Sequence, residues 1–205
     1  QATARGTPEE TTKTNLKFDW FPEGTVSLLR LELPFPDEST DFAGSPLDPD
    51  FGDAKIRAGF RAVDVGGRPW TSFLELTFPT ADPENQGAGK YQVSGGVRAV
   101  HALGTIGAAR QTFALQIQQV VSFAGDPART DINQTKLELE WSGTWGPGHF
   151  AKATAKPVAD WVGDGKTGAV LEVEGGWFVN REWTIALLAG GLLWGKGVPG
   201  TYETR

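Results

Sequence analysis

The stretch Asp53-Ala-Lys-Ile-Arg-Ala-Gly-Phe-Arg-Ala-Val63 divides on a period of two. Ala54, Ile56, Ala58, Phe60 and Ala62 are apolar, while Lys55, Arg57 and Arg61 are basic with Gly59 between them. A strand sends alternate side chains to opposite faces, so this segment predicts a sheet with one apolar and one cationic side. In a soluble protein the apolar side faces a core. In a membrane barrel it faces lipid and the charges face the lumen.

The same alternation recurs along the chain. Leu16, Phe18 and Trp20 alternate with Lys17 and Asp19, and Leu29, Leu31 and Leu33 with Arg30 and Glu32. Leu137, Leu139 and Trp141 oppose Lys136, Glu138 and Glu140, and Leu171, Val173 and Trp177 oppose Glu172 and Glu174. In Phe150–Trp161, alanines and Trp161 oppose Lys152, Lys156 and Asp160. Further strands are predicted near Trp70–Phe78, Tyr91–Leu103, Thr112–Phe123 and Trp183–Trp194. No segment sustains a helical period. The expectation is an all-β, antiparallel up-and-down transmembrane β-barrel of about ten strands, within a range of about 8–12. A polar arm over residues 1–14, rich in Thr and Glu, precedes a single barrel domain over 15–205.

Composition narrows the function classes. The 205-residue chain carries a net charge of −6, which argues against a nucleic-acid partner. It has no cysteine, which removes disulfides and thiolate metal sites. Its 27 glycines and 8 tryptophans suit tight turns, crowded interiors and half-wet interfaces. No apolar run approaches the ~18 residues of a membrane helix, but a barrel strand needs only ~10 alternating ones. A first residue of Gln1 fits a chain whose signal peptide has been removed.

Connections alternate in length. Short ones are predicted at Pro22–Gly24, Val65–Arg68, Gly146–Gly148 and Asn180–Arg181, with an intermediate link over Gly104–Arg110. Longer ones fall at Pro34–Gly52, Pro79–Lys90, Gly125–Asn133 and Gly195–Gly200, with a shorter Val162–Lys166. Outer-membrane barrels have this asymmetry between their two rims. Aromatics near strand ends, among them Trp20, Tyr91, Phe123, Trp145, Trp161, Trp177 and Trp194, match two interfacial girdles. The strand at Asn15 starts from the long-loop side, whereas outer-membrane barrels usually start from the other rim, and Thr201–Arg205 reads as the start of another strand, so closure needs either a further strand or pairing of Thr7–Thr14 and Thr201–Arg205.

Four segments resemble an outer-membrane family named for the meta-pathway of phenol degradation. They are Phe51–Val63, with its Gly52-Asp53; Leu76–Val100, with Pro79–Asp82 and Gly87–Gln92; Gln118–Trp141, with Ser122–Gln134; and Lys156–Trp161. The resemblance implies an outer-membrane β-barrel of the transporter type for small molecules, defines no catalytic residues, and spans most of Asn15–Arg205.

No enzymatic constellation is expected. Gly163–Gly168 ends like a phosphate loop, but Asp160 stands where that motif needs glycine, and strand-like sequence follows. His101 and His149 lack metal-ligand spacing. Asp48, Asp50 and Asp53 form a weak calcium candidate, and otherwise no metal and no cofactor is expected. Asn133–Thr135 is a formal glycosylation sequon with no role in a bacterial outer membrane.

The expected lumen-lining set is Lys17, Asp19, Arg30, Glu32, Lys55, Arg57, Arg61, Glu75, Arg98, Lys136, Glu138, Glu140, Lys152, Lys156, Asp160, Glu172 and Glu174. Its signs nearly balance, as a narrow interior requires, because an unpaired charge away from water is costly. The leading expectation is a channel or transporter for an unspecified small solute in the bacterial outer membrane, surrounded by lipid. A structural subunit of an envelope assembly, with a plugged lumen and other envelope proteins as partners, is the second. A soluble secreted calyx or lectin-like protein stacking sugars on tryptophan is the third.

Overall fold

The computed structural model of the chain describes residues 12–37, 52–81, 87–146, 148–162, 165–179 and 184–198. Ten strands follow one another: β1 (Thr12–Trp20), β2 (Val26–Asp37), β3 (Ala54–Asp64), β4 (Pro69–Phe78), β5 (Lys90–Ile106), β6 (Ala109–Gly125), β7 (Asn133–Trp145), β8 (His149–Asp160), β9 (Lys166–Phe178) and β10 (Thr184–Trp194). They form one sheet in which each strand pairs antiparallel with its neighbours in sequence. The all-β up-and-down architecture is as the alternation predicts, and there is no helix among the described residues.

The expected closure is not seen. Among the described residues no ladder joins β1 to β10, so the sheet is open along these two edges. Lys17 and Asp19 on β1 are both engaged with β2, and Thr184–Trp194 contains no charged residue. The arm expected over residues 1–14 ends sooner, because Thr12–Thr14 belong to β1. β1 starts at Thr12, paired with Asp37, and residues 1–11 lie outside the described part.

The connections segregate by length. Residues 21–25, 65–68, 107–108, 146–148 and 179–183 join strands at one rim, and 38–53, 79–89, 126–132 and 161–165 at the other. The link expected to be intermediate tightens to Gly107-Ala108, where Gly107 takes φ 61°, a left-handed conformation that favours glycine. That tight turn fixes the register of the two longest strands, β5 and β6, of 17 residues each.

The two faces of the sheet are unequal in burial, and the apolar face is the open one. On β4, Leu74 is 54% exposed and Leu76 43%, while Glu75 is 9% and Thr77 8%. On β9, Val173 is 50% exposed and Glu172 7%. Among the described residues nothing else is layered on this single sheet, so its charged face is buried because the sheet curls over it. Lys136 on β7 is close enough to Lys55 on β3 and Glu75 on β4 to interact electrostatically with both, which such a curl explains.

Candidate functional site

Register carries one face from strand to strand. Lys17 lies opposite Glu32, Glu32 opposite Lys55, Asp19 opposite Arg30, Arg30 opposite Arg57, and Arg57 opposite Glu75. Glu75 faces Ser94, Arg98 faces Gln116, and Gln116 faces Glu138. Glu140 faces Thr154, Thr154 faces Glu172, Lys152 faces Glu174, and Asp160 faces Lys166. With Lys136 and Lys156 falling in by alternation on β7 and β8, sixteen of the seventeen residues expected to line a lumen share this face. Arg61 does not join the ladder. It falls where the β3–β4 register shifts between Phe60 and Val63, it is exposed near the short-turn rim, and its N–H donates to Thr25 O at 3.0 Å.

Opposite charges meet across neighbouring strands. Arg30 makes a two-pronged contact with Asp19, both bonds 2.7 Å. Lys17 lies 3.7 Å from Glu32, Lys152 2.5 Å from Glu174, and Lys156 2.6 Å from Glu172. Arg98 reaches past β6 to Glu138 at 3.2 Å and Glu140 at 3.1 Å. Arg57 donates to Glu75 at 2.7 Å through Nε, and its guanidinium sits 4.4 Å from the Phe73 ring centroid. Phe73 in turn covers Gly96, where an added Cβ would come within 2.5 Å of the ring. Of the two glutamates expected near the β3 cations, Glu75 takes Arg57 and Glu32 takes Lys17.

Neutral polar residues fill the same face. Ser94 accepts from Gln118 Nε2 at 2.9 Å, and Thr77, Gln134 and Thr154 are buried. Sequence reasoning passed these over because they carry no charge. Extending the parity of Glu75 through Gln92, Ser94, Gln116 and Gln118 finds them.

On the opposite face Leu31 is exposed, whereas Leu29, Leu33, Phe60, Leu137 and Leu139 are half-buried among their neighbours. A lipid-facing apolar surface predicts that all six are solvent-exposed, and only Leu31 is. Towards the rims, tryptophans keep a polar partner for the indole N–H. Trp161 donates to Thr135 Oγ1 at 2.9 Å and Trp141 to Gln111 Oε1 at 3.0 Å.

The four segments that carried the resemblance converge on the long-loop rim. Asp53 accepts from Ala88 N at 2.7 Å and from Ala81 N at 3.4 Å. Asp126 N donates to Gly89 O at 2.9 Å, and Ile132 N to Ser122 Oγ at 2.9 Å. Lys90, nearly fully buried, reaches Asp131 at 2.8 Å, and this ammonium holds the Asp131 carboxyl below its ordinary value. A cavity of about 320 Å³ opens here, lined by Asp53, Tyr91, Asp126 and Arg129 among others. Tyr91 lies between Phe78 and Phe123, at ring distances of 6.3 and 6.1 Å. Of the calcium candidates, Asp48 and Asp50 lie outside the described residues, and Asp53 is occupied with backbone N–H groups. No group of three His, Cys, Asp or Glu side chains able to hold a metal occurs among the described residues. His149 stacks on Trp145 at 6.5 Å, and a strand, β9, starts at Lys166 where a phosphate loop would need a helix.

No protein-family model matches the chain, and no curated protein matches it.

Proposed function

We propose that the sheet is the wall of a β-barrel in the bacterial outer membrane, its charged face around a polar lumen through which small solutes pass. The inversion of burial carries this reading: Leu74 and Leu76 are open while Glu75 and Thr77 are hidden, and β9 repeats the pattern. A water-soluble sheet would leave an apolar face far larger than the few hundred Å² usual for monomers. Lipid covers such a face without cost, and a lumen needs the polar one. The sugar-binding calyx would instead keep the apolar side chains inside. Two bands of aromatics near the rims, and the family resemblance in the quoted motifs, point the same way as the inversion. The reading requires the β1 and β10 edges to be paired in the membrane, because lipid offers no partner for a free backbone N–H or C=O.

The envelope-subunit reading keeps one observation of its own. Arg98 bridges to two glutamates on β7, and ion pairs cross most of the charged face, which is how side chains plug a narrow barrel. The experiment is reconstitution. The protein is folded into detergent or lipid, tested for heat-modifiable migration on gels, and then placed in planar bilayers. Folding only with amphiphile present, together with stepwise conductance, is expected. Folding with amphiphile but no conductance favours the plugged subunit. A stable fold in plain buffer refutes the membrane reading.

A further inference from the structure

The ladders on the two sides of β5 end at different places. Towards β6 the pairing runs to Ile106, opposite Ala109, but towards β4 it stops at Ala99, opposite Trp70. Among the described residues nothing pairs with the β4 side of Val100–Ile106, and every residue from Val100 to Ala108 is exposed. β4 does not extend to cover them. It begins at Pro69, which has no N–H to donate, and the chain before it folds into the tight turn where Val65 N donates to Arg68 O at 2.9 Å. At about 3.4 Å per residue and a tilt near 40°, the 17 residues of β5 rise about 44 Å, well beyond the ~25 Å apolar band of a barrel. The unpaired end, which rises about 18 Å on the same basis, therefore stands in water.

Two arginines bracket this free edge. Arg68 is at its base, level with His101 when the β4–β5 register is continued, and Arg110 is near its tip, opposite Thr105. Both are exposed, and neither makes an ion pair among the described residues. The acid of the same turn, Asp64, accepts from Gly67 N at 2.8 Å. Val100, Leu103 and Ile106 add exposed apolar side chains.

We infer that the β4 side of Val100–Ile106 is a docking edge to which an extended acidic segment of another protein adds as a further strand. The free backbone groups supply the hydrogen bonds of such an addition, and Arg68 and Arg110 select carboxylates about four residues apart. The same charges count against a second copy, because antiparallel pairing of two such edges brings Arg68 of one copy towards Arg110 of the other. The sequence flanking the sheet leaves from the opposite rim, where β1 starts and β10 ends. Residues 1–11 reach about 40 Å at most, less than is needed to cross the sheet and then line the edge. The docking edge stands without the membrane reading. That its partner is periplasmic rests on that reading, since the short turns of outer-membrane barrels face the periplasm.

The probe is a fluorescein-labelled peptide, VEVTVEV, titrated at physiological ionic strength into the protein folded in detergent micelles and followed by anisotropy. Wild type should bind it about tenfold more tightly than VKVTVKV, and about tenfold more tightly than VEVPVEV, whose proline removes a central backbone donor. Joint replacement by Arg68→Glu and Arg110→Glu should invert the preference between the acidic and basic peptides, and either single reversal serves if the double variant fails to fold. Arg61→Glu, exposed near the same rim but two strands away, should change affinity less than twofold. Amide hydrogen exchange over Val100–Ile106 should slow on binding. No binding, equal affinity for the two charge types, or binding without slowed exchange in this segment overturns the docking edge. Protection of the segment without peptide, growing with protein concentration, gives the edge to a second copy and equally overturns it. Because the chain has no cysteine, Thr105→Cys reports the side of the membrane. In cells it should react with a large hydrophilic maleimide only after the outer membrane is permeabilised. Reaction in intact cells overturns the periplasmic assignment and leaves the edge to the peptide result.

Discussion

Replacing Leu74 by Arg puts the burial inversion to its sharpest test. Leu74 lies in the middle of β4, a ten-residue strand, and more than half of its surface is open. At about 3.4 Å per residue and a tilt near 40°, such a strand rises about 24 Å, close to the ~25 Å apolar band of an outer-membrane barrel. Leu74 is then near the bilayer midplane, where an arginine costs about 2–4 kcal/mol. That shifts the folding equilibrium by roughly 30- to 900-fold, at 1.36 kcal/mol per decade. In water the same exchange at an open strand position changes stability by less than about 0.5 kcal/mol. The assay is equilibrium urea unfolding in phospholipid vesicles, followed by tryptophan fluorescence. A loss within the predicted range supports lipid contact at Leu74. A loss below about 0.5 kcal/mol with the fold intact refutes it, and with it the assignment of the apolar face to lipid.

Four further outcomes are expected. In a double-mutant cycle of Arg57→Ala and Glu75→Ala, the pair should couple by about 1–3 kcal/mol in urea unfolding, with Glu75→Ala alone worse than the double variant because it strands Arg57. Gly96→Ala should destabilise by about 1–3 kcal/mol, since its Cβ would meet the Phe73 ring and lie 2.7 Å from Ile117 O, whereas Gly175→Ala, with 3.9 Å of room, should be neutral or gain up to about 1 kcal/mol. Asp131, with its folded value lowered by Lys90, contributes stability that is complete above the ordinary 3.8 and is lost as the pH falls through the lowered value; carboxyl NMR should show its titration rising in Lys90→Gln. Because the chain has no cysteine of its own, a scan pairing Leu187→Cys on β10 with single cysteines along β1 should yield a disulfide in the lipid-inserted protein, and a scan with none refutes closure by these edges.

The faces were legible because a period of two needs no knowledge of neighbours. Lys55, Arg57, Glu75 and Glu172 fall on one side from alternation alone, and strand number follows from the turn signals. Partner choice was less legible, because it depends on register. Glu32 lies in register with both Lys17 and Lys55, and its ion pair is with Lys17, a choice that alternation along one strand does not report. Arg61 was assigned to the charged set because alternation was carried through a point where the β3–β4 register shifts. Phe73 was hidden for the opposite reason. It is apolar on a polar face, kept there by Arg57 above it and Gly96 beneath, and no single-strand pattern reports such a stack. The Lys90–Asp131 pair joins residues 41 apart across a rim, a contact that only the folded loops create.

The edges and the charged face bear on the same question from different sides. A sheet that hides glutamates and opens leucines has its cheapest free energy where the open face meets lipid and the hidden one meets confined water. In that setting every unpaired backbone group on β1 and β10 costs several kcal/mol, far more than any single ion pair on the face returns. Edge pairing is therefore the stronger constraint, and charge matching the finer one. β10 fits this ranking. It carries no charge, its Leu187 is 81% exposed, and backbone hydrogen bonds and apolar contact are what it can offer a partner strand. Strands β1 to β9 are specified by side chains as well as by backbone, but β10 is specified almost entirely by hydrogen bonding and apolar contact. Such a strand tolerates slippage in register. It is thus the part of the sheet whose final position depends most on what pairs with its free edge.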